Sequence, residues 1–68
     1  MGSEHPDTLT SKNNLARTLW ELQEYVAAIA LMQQAADGFQ ITLGAQHPYT
    51  INALHNLAIM QKQLDNLI

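Results

Sequence analysis

The sequence contains no cysteine, so disulfide bonds cannot stabilise its core and no thiolate is available for metal binding or nucleophilic catalysis. This absence favours a reducing, intracellular setting, and we expect a cytoplasmic location. No apolar run approaches the roughly 20 residues that a membrane-spanning helix needs, and the N-terminus lacks the basic-then-apolar pattern of a signal peptide. We therefore expect no membrane partner.

Charged residues are also few, with six acidic and three basic side chains and a formal net charge of -3. The bases Lys12, Arg17 and Lys62 are too scattered to form a stripe that neutralises several phosphates, so we expect no nucleic-acid partner. Glycine and proline are too rare to indicate disorder, and the apolar fraction of 47% is ordinary for a globular protein. A chain of 68 residues can form one small domain, residues 1–68, with a marginal core.

The sequence repeats itself with a period of 42 residues, since residues 1–26 align with residues 43–68 without a gap. Eight of those 26 pairs are identical, far more than chance would give. The identical pairs are Gly2/Gly44, His5/His47, Pro6/Pro48, Thr8/Thr50, Asn14/Asn56, Leu15/Leu57, Ala16/Ala58 and Leu22/Leu64. The chain therefore divides into repeat one, residues 1–42, and a partial repeat two, residues 43–68.

Proline marks a helix start in each copy, because Pro6 and Pro48 suit the first helical position. Apolar residues at helical spacing then predict three helices, the third running from Pro48 to about Asp65, with residues 43–47 as the link before it. Gly38 inside the second helix indicates either close helix packing or fraying. The apolar stripes are Leu9, Leu15, Ala16, Leu19 and Leu22, then Tyr25, Ala28, Ile29, Met32, Ala35, Ala36 and Phe39, then Ile51, Leu54, Leu57, Ala58 and Leu64.

The turn between the first two helices is ambiguous in the sequence, because no glycine or proline lies between Pro6 and Gly38. On propensity alone, residues 20–26 would also accept a continuous helix. If this hinge straightened, two chains could exchange helices and form a swapped dimer. The sequence leaves both conformations open.

Several short segments of the chain together form a recognisable pattern: His5-Pro6-Asp7-Thr8-Leu9, Asn13-Asn14-Leu15-Ala16, Tyr25-Val26-Ala27-Ala28, Ala35, Leu43-Gly44 and His47-Pro48. These segments resemble the tetratricopeptide repeats of kinesin light chains, and the related 42-residue repeats found in tandem in many fungal and bacterial proteins. The resemblance implies an all-α helix-turn-helix solenoid fragment of three antiparallel helices, about one and a half repeats, that acts as a protein-interaction scaffold and not as an enzyme. The chain departs from the family at Gln23 and Asp65, where the interhelix turn usually has glycine, and at Gly38, where an aliphatic residue is usual.

The resemblance also implies a binding surface for an extended peptide or a partner protein, on the concave face formed by the first helix of each repeat. That face corresponds to Thr10, Asn13, Asn14, Arg17, Trp20 and Glu21 in the first copy, and to Asn52, His55, Asn56 and Ile59 in the second. The spacing supports this independently, because the first copy carries a polar stripe at i, i+3, i+7 and i+10 beside its apolar one.

Four of these side chains have alternative interpretations. Asn14 and Asn56 could hydrogen-bond the backbone of a bound peptide, or could bond a neighbouring helix instead. Arg17 could pair with a ligand carboxylate or with Glu21 four residues later. Trp20 could anchor a ligand or belong to the core between the helices.

Catalytic and metal-binding patterns are missing from the sequence. His5 and His47 occupy the same repeat position, so each is expected to cap or pack a helix start, and His55 has no second ligand at helical spacing. Ser11 has no evident base, and no glycine-rich phosphate loop occurs. We therefore expect neither a metal nor another cofactor.

Self-association is the alternative function. Each repeat buries its apolar face by stacking on neighbours, so the final helix is expected to leave Leu54, Met60, Leu64, Leu67 and Ile68 uncovered. Such a surface predicts a homo-oligomer, stacked or helix-swapped, or the continuation of a longer repeat array.

Overall fold

The computed structural model describes residues 6–67 and contains three helices: α1 (Pro6–Glu21), α2 (Tyr25–Leu43) and α3 (Pro48–Leu67). No strand occurs within these residues, which confirms the all-α fold class. Both helix starts predicted from proline are confirmed, because α1 begins at Pro6 and α3 at Pro48. None of the three helices combines the length and apolarity that crossing a membrane requires.

Residues 22–24 form a turn, so α1 and α2 are separate helices in this structure. The Gln23 N–H donates to the Trp20 carbonyl and the Glu24 N–H to the Leu19 carbonyl, each at 2.9 Å. Gln23 takes a φ of +67°, in the left-handed region that disfavours residues with a Cβ. The rings of Trp20 and Tyr25 meet edge to face across the turn, with centroids 4.6 Å apart.

Gly44 ends α2 and begins the link to α3. Its φ of +92° favours glycine, and its N–H donates hydrogen bonds to the carbonyls of Phe39 and Gln40, each at 3.1 Å. His47 then caps α3, because its Nδ1 accepts a hydrogen bond of 3.1 Å from the Tyr49 N–H. The capping role predicted for this histidine is confirmed, whereas His5 lies outside the described residues.

The core lies around α2, which packs against both α1 and α3. Buried apolar side chains come from all three helices, and those of α2 are Ala28, Met32, Ala35, Ala36 and Phe39. A Cβ at Gly38 would overlap the fully buried side chain of Leu9. Gly38 therefore permits close packing of α1 on α2, and the helix continues past it to Leu43.

The apolar stripes predicted for α1 and α3 are wrong in part. Leu15 in α1 and Ile51 in α3 are both 52% exposed, and Leu22 is 67% exposed in the turn. Ala58 is also exposed. The reason is that α1 and α3 turn different faces towards α2, as the buried Leu9 of α1 and the buried Leu57 of α3 show.

The expectation that the apolar side chains of α3 are uncovered is likewise only partly right. Met60 is buried and Leu54 is half-buried against the core, because both lie on the side of α3 that α2 covers. Thr50 and Ala53 belong to the same buried face. Leu67 is 59% exposed as expected, Leu64 is half-buried, and Ile68 lies outside the described residues.

Candidate functional site

A polar pocket of about 220 Å³ lies between α1 and α3. Its lining combines amide, hydroxyl, guanidinium and aromatic groups. The lining residues are Thr10, Asn13, Asn14, Arg17, Phe39, Tyr49 and Asn52. Asn52 comes from the second repeat and the other predicted members from the first, so the structure brings together residues that lie about 40 positions apart.

A second pocket of about 190 Å³, which we call the tryptophan pocket, adjoins the polar pocket. It is lined by Arg17, Trp20, Glu21, Asn56, Ile59, Met60 and Gln63. Apolar surface from Trp20, Ile59 and Met60 meets polar groups from both helices. This arrangement can accept an apolar side chain while hydrogen-bonding the groups beside it.

Arg17 lines both pockets, so its side chain joins them into one groove. The residue is exposed, and it makes no ion pair with Glu21 or any other described residue. The structure therefore does not contain the Arg17–Glu21 ion pair, which was one of the two interpretations of Arg17. The guanidinium keeps its charge and its five donors for an external acceptor such as a carboxylate.

The asparagines of the groove also keep their side-chain hydrogen-bonding groups free within the described residues. Asn14 is exposed and Asn56 is half-buried. The carbonyl of Asn14 accepts a 3.2 Å bond from Thr18 Oγ1, but this bond involves the backbone and leaves the amide side chain unused. Neither amide bonds a neighbouring helix, so each can offer both a donor and an acceptor to a ligand.

Comparison with known families connects this geometry to one kind of protein. The family model described as tetratricopeptide repeat matches residues 7–67. The chain belongs to the tetratricopeptide repeat family. No curated protein and no solved structure matches the chain significantly. Tetratricopeptide repeats are non-catalytic modules that generally mediate protein–protein interaction.

Trp20 occupies both environments that the sequence left open in this tetratricopeptide repeat chain. Its ring is half-buried, packs against the core cluster and contacts Tyr25. The same side chain lines the tryptophan pocket. It can therefore hold the α1–α2 hairpin together and present ring surface to a ligand.

His55 lies apart from the other predicted groove residues, because it is exposed and lines neither pocket. The equivalent residue of the first repeat, Asn13, does line the polar pocket. The difference follows from position, since the side of α1 that carries Asn13 faces α3, whereas no described helix faces the same side of α3.

Four groove residues were missed by the sequence analysis: Phe39, Tyr49, Met60 and Gln63. Phe39 was predicted as core and Met60 as uncovered, and both are buried with one surface towards the groove. Tyr49 carries a usable signal, because it replaces Asp7 of the first repeat with an aromatic residue that is 54% exposed. Its ring lies 5.9 Å from that of Phe39.

The described residues contain no group of three histidines, aspartates or glutamates that could hold a metal ion. Ser11 Oγ donates a 3.0 Å bond to the backbone carbonyl of Asp7. What the groove offers is recognition chemistry: amides, one guanidinium and aromatic surface.

Proposed function

We propose that this chain binds an extended peptide segment of a partner protein in the groove between α1 and α3. The observation that carries the proposal is the position of Arg17, which joins two adjoining pockets and has no ion-pair partner within the described residues. Arg17 would pair with a carboxylate of the peptide, and the free amides of Asn14 and Asn56 would bond its backbone. We also propose that the chain is of the kinesin light chain-like subtype, which the 42-residue period and the His47-Pro48 phrase support.

The two pockets favour a peptide with two different side chains. The polar pocket matches a carboxylate near Arg17, with aromatic surface from Tyr49 beside it. The tryptophan pocket matches an apolar side chain that packs between Trp20 and Ile59. A peptide that spans both pockets would run along the groove and cross Arg17.

A random peptide display library tests this proposal. We expect selected peptides to combine an acidic and an apolar residue, and to bind about tenfold or more weakly to Arg17→Ala, because hydrogen bonds to charged groups contribute about 1.5–3 kcal/mol. Asn14→Ala should weaken binding less. Fluorescence anisotropy with synthetic copies of the selected peptides measures both effects.

Gln34→Ala is the matched control, because Gln34 is exposed on α2 and lines neither pocket. Circular dichroism checks that each variant keeps its helices. If the selected peptides bind Arg17→Ala and Asn14→Ala as tightly as the unmodified chain, the groove is not the binding site and the proposal is wrong.

Self-association is a second candidate function, favoured by the exposure of apolar residues whose repeat counterparts are buried. Leu15 is 52% exposed, whereas Leu57 at the same repeat position is 6% exposed. Ile51 is 52% exposed, whereas its counterpart Leu9 is fully buried. Such surfaces have the chemistry of helix packing sites, and covering them removes apolar area from water. Light scattering at tens of micromolar tests this candidate, because a strict monomer would exclude it.

A further inference from the structure

One position of the repeat takes two backbone conformations in this chain. Residues 22–24 form the turn between α1 and α2, whereas residues 64–66, at the same repeat positions, are helical within α3. Leu22 and Leu64 are identical, and Gln23 corresponds to Asp65. This repeat position therefore accepts helix as well as turn in the same chain.

The turn at residues 22–24, which we call the hinge, contains a strained residue, although its N–H groups bond back to α1. Gln23 has a φ of +67°, where a residue with a Cβ is strained, and the hinge has no glycine to relieve the strain. Glu24 is the N-cap of α2, but its side chain makes no capping bond. Val26, next to the hinge, is 74% exposed and does not anchor it.

We infer that two copies of this chain exchange α1 by straightening the hinge, so that α1 and α2 become one continuous helix in each copy. The inference rests on self-association, the second candidate function, and identifies the partner as a second copy. A helix over residues 6–43 is about 57 Å long and cannot fold back on itself. Each α1 then packs on the partner's α2.

Exchange keeps the packing that holds α1 in place, because the partner has the same sequence. The Leu9 side chain lies in the space left by Gly38 of the same chain in the closed form, and would lie in the partner's equivalent space after exchange. The buried Ala16 would keep its environment in the same way. Straightening also removes the left-handed strain at Gln23 and adds helical hydrogen bonds at the hinge.

Gln23→Gly tests the role of the hinge. Glycine relieves the strain of the turn and disfavours a continuous helix, so both effects oppose exchange in each of the two chains. We expect dimerisation, measured by sedimentation velocity after refolding at high concentration, to weaken roughly 100-fold. Asp65→Gly is the matched control at the same repeat position of α3, and it should leave dimerisation unchanged. Equal weakening by both variants would contradict the inference.

Energy transfer within one chain distinguishes exchange from stacking of closed chains. The chain lacks cysteine, so Thr8→Cys and Gln40→Cys, both at exposed positions, can carry a donor and an acceptor. The closed form holds these sites close, since Leu9 lies against Gly38, whereas a continuous helix separates them by about 48 Å.

The labelled chain is refolded with excess unlabelled chain at a concentration that gives dimers. Low transfer in the dimer supports exchange. High transfer in the dimer overturns exchange but leaves self-association standing. A monomer at every concentration overturns both, and peptide binding in the groove is measured separately.

Discussion

The helices α1 and α3 begin the two copies of one repeat, yet they bury different faces. The buried face of α1 contains Leu9 and Ala16, whose counterparts in α3, Ile51 and Ala58, are exposed. The buried face of α3 contains Leu57, whose counterpart Leu15 is 52% exposed. The first helix of this repeat can therefore bury either of two faces, and each copy buries the face that meets α2.

The comparison teaches that burial in a repeat protein is a property of the neighbouring helix as much as of the residue. Leu15 and Leu57 have the same side chain in the same local sequence, including Asn14 and Asn56 before them. What differs at these two leucines is whether their side of the helix meets α2. Identical residues should then contribute very differently to stability, and paired substitutions measure the difference.

The largest difference is expected for the identical leucines. Leu57→Ala should lower the free energy of unfolding by about 3 kcal/mol, because it removes buried methyl groups and leaves a cavity. Leu15→Ala should change it by less than about 1 kcal/mol, because half of that side chain is already in water. Urea unfolding followed by circular dichroism gives both values. Similar losses in the two variants would show that the face of Leu15 is covered in solution.

The helix starts and the repeat period could be predicted from sequence because their causes are local. Proline fixes φ at the first helical position, so Pro6 and Pro48 mark α1 and α3 whatever surrounds them. The buried faces of α1 and α3 could not be separated, because Leu15 in α1 and Ile51 in α3 also fit an apolar stripe at helical spacing although both are exposed. The conformation of the hinge could not be predicted either, because the left-handed conformation at Gln23 occurs without glycine.

Most of the groove could be listed from the family resemblance, although its role in binding remains a prediction. Nine of the ten listed residues line the two pockets, and His55 is the exception. Tyr49 was missed because it reads as part of a helix start. Met60 was missed because it was expected to lie uncovered on the final helix, whereas it is buried and borders the tryptophan pocket.

A smaller difference is expected for the identical threonines. Thr50 is fully buried, and its Oγ1 has no hydrogen-bond partner among the described residues. Thr50→Val keeps the shape and removes the unsatisfied hydroxyl, so we expect the free energy of unfolding to rise by about 1 kcal/mol. Thr8→Val, on exposed α1 surface, should change it by less than about 0.5 kcal/mol.

Thermal unfolding of the two threonine variants beside the unmodified chain measures this pair. Destabilisation by Thr50→Val would show that the hydroxyl is satisfied in solution, for example by a water molecule.

The smallest individual effects, which have opposite signs, are expected at the hinge and its counterpart in α3. Gln23→Gly should raise the free energy of unfolding by about 0.5 kcal/mol, because glycine accepts a φ of +67° without strain but gains freedom in the unfolded chain. Asp65→Gly should lower it by a similar amount, about 0.5 kcal/mol, because Asp65 is helical and glycine disfavours helix. Urea unfolding at concentrations where the chain is monomeric measures both variants. If both variants lower the free energy of unfolding, Gln23 is not strained in solution. Only the added helical hydrogen bonds would then favour straightening of the hinge.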